Sequence, residues 1–142
     1  MKILIVEDDD ISRLMLRDIL AKLAECHVAV NGKEGVKMFE DGVVNGRPYD
    51  VILMDLMMPE MNGHTLVRLI REYEAKTVMP RTKVIVITAC NSPWEMSEMI
   101  LDGWCDEYIV KPFDRDRIQK LVATYPSHQS PFAAPNRRPS YV

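Results

Sequence analysis

An α/β fold built on a doubly wound, five-stranded parallel sheet, with strand order 2-1-3-4-5 and helices on both faces, is what this sequence predicts. Three observations predict it. Short apolar runs recur along the chain and are continuous rather than alternating, as expected of strands buried on both faces. Stretches with helical spacing separate them, and strand–helix repeats imply parallel pairing through right-handed crossovers. Polar residues able to do chemistry stand immediately after the runs, where open α/β sheets bind ligands.

The elements follow in order. Ile3–Val6 is the first strand. Asp10 is a plausible N-cap for the helix after it, whose apolar residues Ile11, Leu14, Met15, Ile19 and Leu23 recur at helical spacing. His27–Val30 is a weaker run with a polar start and suits an edge strand. Lys33–Asp41 reads as the second helix, Val51–Met54 as the third strand and Gly63–Ala75 as the third helix. Val84–Ile87, Trp94–Leu101, Tyr108–Val110 and Asp114–Thr124 complete the pattern. Residues 1–125 make one domain. From Pro126 onward, Pro131, Pro135 and Pro139 sit among Ser, Asn and Arg with little to bury, so 126–142 is expected to be a disordered Pro-rich tail.

Composition excludes several classes. A chain of 142 residues has room for one domain of typical size. Its formal charge of −3 leaves no basic footprint for nucleic acid or an anionic membrane. The longest apolar runs fall far short of the ~20 residues that span a bilayer. The N-terminus meets acids at once and lacks a small-residue cleavage site, so it does not read as a signal peptide. Cys26, Cys90 and Cys105 share no CxxC spacing and His27, His64 and His128 are scattered, which suits free thiols in a reducing, cytoplasmic compartment and argues against a zinc site.

The strand ends carry the functional signal. Glu7, Asp8 and Asp9 follow the first strand, Asp55 the third, Thr88 the fourth and Lys111 the fifth. Strands 1 and 3 flank the predicted reversal of strand order and bring the carboxylates. Crowded carboxylates repel unless a hard cation neutralises them, and Mg²⁺ suits such a site. One carboxylate is then free to act as nucleophile toward a phosphoryl group. That transfer asks the protein for positioning and positive charge, which Mg²⁺ and Lys111 supply, with a hydroxyl donor from Thr88.

Five segments resemble the signature blocks of response-regulator receiver domains: Ile3-Leu4-Ile5-Val6-Glu7-Asp8-Asp9, Met54-Asp55-Leu56-Met57-Met58-Pro59, Gly63, Val86-Ile87-Thr88-Ala89 and Tyr108-Ile109-Val110-Lys111-Pro112-Phe113. The blocks arrive in family order over about residues 2–124. The resemblance implies a flavodoxin-like fold and a phosphorylation switch of a two-component phosphorelay rather than an enzyme with an external substrate. It places Asp55 as phosphoacceptor, Asp8 as a direct metal ligand, Glu7 as its neighbour and the backbone carbonyl of Met57 as a main-chain ligand to Mg²⁺. It makes Thr88 the switch hydroxyl, Lys111 the phosphate-contacting lysine, Tyr108 the aromatic that follows Thr88, and Pro112 the residue after a cis peptide. Met57 and Cys90 fall at the positions flanking the path of hydrolytic water. A sensor histidine kinase or phosphotransfer protein is the implied donor. The implied readout is a downstream protein bound through the face of the fourth helix, fifth strand and fifth helix, as a monomer or a phosphorylation-dependent homodimer.

Plainer readings stand beside these. Asp55 alone could cap a turn, Thr88 end a strand, Lys111 lie on the surface and Tyr108 fill the core. Met54, Met57, Met58 and Met61 read as packing rather than a copper site. A haloacid-dehalogenase-type phosphohydrolase also uses an Asp after a strand but needs a second Asp two residues on, where this chain has Met57. A pseudo-receiver would lack site residues that are all present here. Receivers with winged-helix outputs carry an acid and a base where this chain has Arg117 and Leu121, so a free-standing receiver acting through protein contacts is the expectation.

Overall fold

The computed structural model describes residues 1–126. The expected disordered tail therefore lies, Pro126 aside, outside the described residues. Ten elements alternate: β1 (Lys2–Val6), α1 (Asp10–Leu20), β2 (Glu25–Ala29), α2 (Gly32–Val44), β3 (Val51–Met54), α3 (Gly63–Thr77), β4 (Lys83–Thr88), α4 (Pro93–Leu101), β5 (Glu107–Val110) and α5 (Arg115–Ala123). All strand pairs are parallel and the order is β2-β1-β3-β4-β5, as the apolar runs predict.

Side-chain alternation sorts the buried strand residues into two cores. Ile3, Ile5, Val51, Leu53, Ile85, Ile87 and Ile109 meet Leu16, Ile19 and Leu20 of α1 and Ile118 and Val122 of α5. Leu4, Val6, Ile52, Met54, Val84 and Val86 face the other way, onto Phe39 of α2, Leu66 and Ile70 of α3 and Met99 of α4. Both faces of the central strands are thus dry, which explains why their sequence is apolar without alternation.

One sequence expectation needs correction. The N-cap of α1 is Asp9, whose carboxylate accepts from Ser12 N at 2.8 Å, and Asp10 is the first helical residue. The apolar spacing in α1 is real, but most of it does not face the core. Ile11, Leu14 and Met15 are 69, 64 and 50% exposed, while Leu16, Ile19 and Leu20 are buried. A helix with apolar residues on more than one face leaves the choice of buried stripe to the sheet it packs on.

Candidate functional site

The hydrogen-bond ladder runs one residue past the strands and carries the site with it. Glu7 N donates to Ala29 O at 3.1 Å, Asp55 N to Val6 O at 3.2 Å and Lys111 N to Thr88 O at 2.8 Å. Strand ends thus fix where three charged side chains start. Gly63 sets the other wall. A Cβ there would stand 2.7 Å from Asp55 O and 2.8 Å from Leu56 Cα, so only glycine lets the start of α3 press against the Asp55 loop. Its N–H donates to Leu56 O at 2.9 Å.

In the crevice, Lys111 Nζ donates to Glu7 Oε1 at 2.7 Å and to Asp55 Oδ2 at 3.1 Å. Asp55 Oδ1 accepts from Met57 N at 3.0 Å, and Glu7 Oε2 from Asp9 N at 3.2 Å. Glu7 and Asp55 are buried, Asp8 is exposed, and the three carboxylates each offer an oxygen within 4.8 Å of the others. Three carboxylates against one ammonium leave an excess of negative charge and several free oxygen lone pairs facing one another. Oxygen-only donors with uncompensated charge are what a hard divalent cation requires, so the residues fit Mg²⁺.

Burial pushes the Glu7 carboxyl above its usual pKa, and the Lys111 hydrogen bond offsets this only in part. Burial also acts to lower the pKa of Lys111, but two carboxylates outweigh it and the net direction is upward. A single ammonium is thus shared between two carboxylates.

Beside this centre, Thr88 is fully buried and its Oγ1 accepts from Cys90 N at 3.3 Å. Tyr108 is 5% exposed and donates its hydroxyl to Cys90 O at 2.9 Å, so its ring already lies inside. The Lys111–Pro112 peptide is cis. Glu7, Asp8, Asp55, Met57, Thr88 and Lys111 therefore lie at the carboxyl ends of the strands or just after them, whereas Tyr108 is the second residue of β5 and reaches the loop after β4 through its hydroxyl.

One pair had no sequence signal. His64 Nε2 and Glu95 Oε2 are 2.6 Å apart, joining α3 to α4, and with Met57, Asn62 and Cys90 they border a depression of about 260 Å³ beside Asp55. The two residues are 31 apart in sequence and only the fold brings them together.

The response regulator receiver domain family model matches residues 3–123. The chain is 34% identical to chemotaxis protein CheY of Thermotoga maritima, over 85% of this chain and 93% of that protein. It is 38% identical to hybrid signal transduction histidine kinase G of Dictyostelium discoideum, over 88% of this chain but only 4% of that protein. Among several longer relatives it likewise spans a small part of their length. The structure is similar to one in a co-crystal of the Saccharomyces cerevisiae phosphotransfer protein Ypd1 with the receiver domain of Ssk1. There the TM-score is 0.76 and the identity 27%, over 87% of this chain and 86% of that one. It is also similar to response regulator TrrA of Thermotoga maritima in complex with Mg²⁺ and beryllofluoride, with a TM-score of 0.66 and 28% identity over 86% of this chain and 96% of that one.

Proposed function

The chain belongs to the response-regulator receiver domain family of two-component signalling, and from that premise we propose that Asp55 accepts a phosphoryl group from a phosphohistidine in the presence of Mg²⁺. The observation that carries the reading is the crevice itself: Glu7, Asp8 and Asp55 within 4.8 Å of one another, with the Lys111 ammonium 3.1 Å from Asp55. An Asp55 carboxylate oxygen attacks phosphorus, the P–N bond breaks, and the imidazole leaves with its electron pair and takes up a proton. Lys111 then neutralises charge on a phosphoryl oxygen, and the Thr88 hydroxyl donates to another. Glu7, Asp8, Asp55 and the Met57 carbonyl would hold Mg²⁺, which when bound offsets the charge of the carboxylates and of the equatorial oxygens.

The rim of the crevice suits a protein donor. Exposed Leu14 and Met15 border shallow apolar depressions with Phe113 and Pro112, and one of these reaches Lys111. A histidine kinase or phosphotransfer protein that delivers an imidazole to Asp55 covers this shelf and gains from burying it. The readout runs through Thr88 and Tyr108 to the face formed by α4, β5 and α5. Because Tyr108 is already inside, the phosphoryl group acts by holding an existing arrangement rather than creating one. The reading takes residues 1–125 as the receiver unit, in the cytoplasm, with a downstream protein as partner and no nucleic acid contact of its own. Among the described residues no helix is long and apolar enough to cross a membrane.

The test is labelling. Acetyl phosphate or beryllofluoride with Mg²⁺ should modify the wild type and leave Asp55→Asn unmodified, and Lys111→Ala should be modified less. Label that persists in Asp55→Asn, on Asp9 or His64 for instance, would overturn the assignment.

A further inference from the structure

Helix α4 turns more apolar surface to solvent than its packing requires. Met99 is its one buried residue, while Trp94 is 77% and Leu101 81% exposed. The two lie seven residues apart on one stripe of the helix and border a groove of about 300 Å³ together with Ser97, Glu98 and Asp102. Acids flank the stripe on one side only. Glu95, Glu98 and Asp102 follow one another at intervals of three and four residues and so share a side of the helix. His64 of α3 holds Glu95, which makes that the α3 side. The groove therefore lies on the flank of α4 away from β5, apart from the readout face proposed above.

Charge and length together define what would cover it. From Pro93 to Asp102 the chain holds these three acids and no Lys or Arg. Glu98 and Asp102 have no ion-pair partner among the described residues. Arg71 and Arg81, which line a neighbouring cavity with Asp102, pair instead with Glu74 and Asp106. The groove calls for an occupant that is apolar and basic at once.

We propose that this flank of α4 binds a basic amphipathic helix of a partner protein, whose two apolar anchors cover Trp94 and Leu101 and whose arginines or lysines pair with Glu98 and Asp102. With a rise of about 1.5 Å per residue, Trp94 and Leu101 stand about 10 Å apart along α4, so anchors at the same seven-residue spacing on a partner helix meet both. An arginine on that helix also finds the exposed Trp94 ring to stack on. A second copy of the chain fits less well, since a two-fold contact on this flank would set Glu98 and Asp102 near their own equivalents.

The probe is a synthetic helical peptide with leucines seven residues apart and only arginines on its flanks. It is fluorescently labelled and titrated with the full, unphosphorylated chain at physiological salt, with anisotropy as the readout. No crevice residue takes part, so failure here leaves the phosphotransfer reading standing, and the reverse holds too. Saturable binding is expected. Trp94→Ser with Leu101→Ser should weaken it ~tenfold or more, because buried anchors carry most of the binding energy. Glu98→Arg with Asp102→Arg should abolish it and should confer binding of the same peptide with glutamates in place of its arginines. All four side chains are exposed, so these variants should fold, and circular dichroism checks that they do. Absence of saturable binding by the wild type overturns the proposal. Binding that persists in the serine variant is diffuse attraction to net charge, and binding that persists in the arginine variant ignores the acids; either result overturns it. Self-association of the chain that is lost in the serine variant also overturns it and assigns the groove to a second copy.

Discussion

Glu7 and Lys111 are both displaced toward their protonated forms, for opposite reasons, and the difference says what the crevice lacks. Lys111 gains because two carboxylates outweigh its burial, and Glu7 loses because half an ammonium does not repay its own burial. Ionised Glu7 thus costs the fold stability at neutral pH, and a cation bound to the native state alone should recover it. At a hundredfold excess over the dissociation constant, such a ligand adds roughly 2.7 kcal/mol. The melting temperature should therefore rise with millimolar Mg²⁺, and rise less in Asp8→Ala, which removes the exposed member of the trio. An equal response in both proteins would refute the metal assignment. Met57 and Cys90 govern a second property. Both border the depression beside Asp55, and a thioether and a thiol are poor at orienting water. The phosphorylated form is accordingly expected to be long-lived. Met57→Asn with Cys90→Glu should speed its decay ~tenfold, which needs only about 1.4 kcal/mol off the barrier. Decay after donor removal, at equal Mg²⁺, measures this, and a double mutant as slow as the wild type would place control of water elsewhere, for instance at His64 and Glu95 in the same depression.

At the level of elements, what could be read in the sequence is what strand ends dictate. β3 matches its apolar run residue for residue, and β1, β4 and β5 extend theirs by one residue or two, because a strand buried on both faces must be apolar throughout. Asp55, Thr88 and Lys111 were legible for the same reason: each immediately follows such a run. Helix faces were not legible. Ile11, Leu14 and Met15 satisfy helical spacing as well as Leu16, Ile19 and Leu20 do, and only the sheet decides which set is buried. The His64–Glu95 pair was invisible because nothing local links residues 31 apart. The exposed stripe on α1 has a use consistent with donor docking. Burial of a Leu side chain is worth about 1.5–3 kcal/mol, so Leu14→Glu with Met15→Glu should slow phosphotransfer from a phosphohistidine protein by tenfold or more. Exposed substitutions of this kind should change stability by only about 0.5 kcal/mol and leave labelling by acetyl phosphate intact. Parallel loss of both reactions would mean that α1 supports the crevice rather than the partner.

Across the whole molecule, burial holds four weak acids in their neutral forms beyond the usual range, and this opposes the fold at alkaline pH. Burial pushes Tyr49 up to about 12 and Cys105 up to about 11, and Tyr125 up to about 12, with nearby carboxylates adding to each shift. Tyr108 is raised as well, by burial first and then by its hydrogen bond to Cys90. These groups come from the β2–β3 side, from β5 and from beyond α5, so no single element relieves them by moving. In the unfolded chain the thiol ionises near 9 and the phenols near 10. Between those values and the native ones, the unfolded state has released protons that the native state still holds. Stability must then fall as pH rises, by roughly 1.4 kcal/mol per pH unit for each proton of difference. Below pH about 9 the same groups are neutral in both states and contribute no slope. Urea midpoints should therefore be flat in this respect up to about pH 9 and fall steeply above about pH 10. The share of tyrosinate absorbance due to Tyr49, Tyr108 and Tyr125 should lag behind that of free tyrosine and then appear together with the loss of circular dichroism. Tyrosine ionisation completed at ordinary pH while the fold persists would show that the cores admit water.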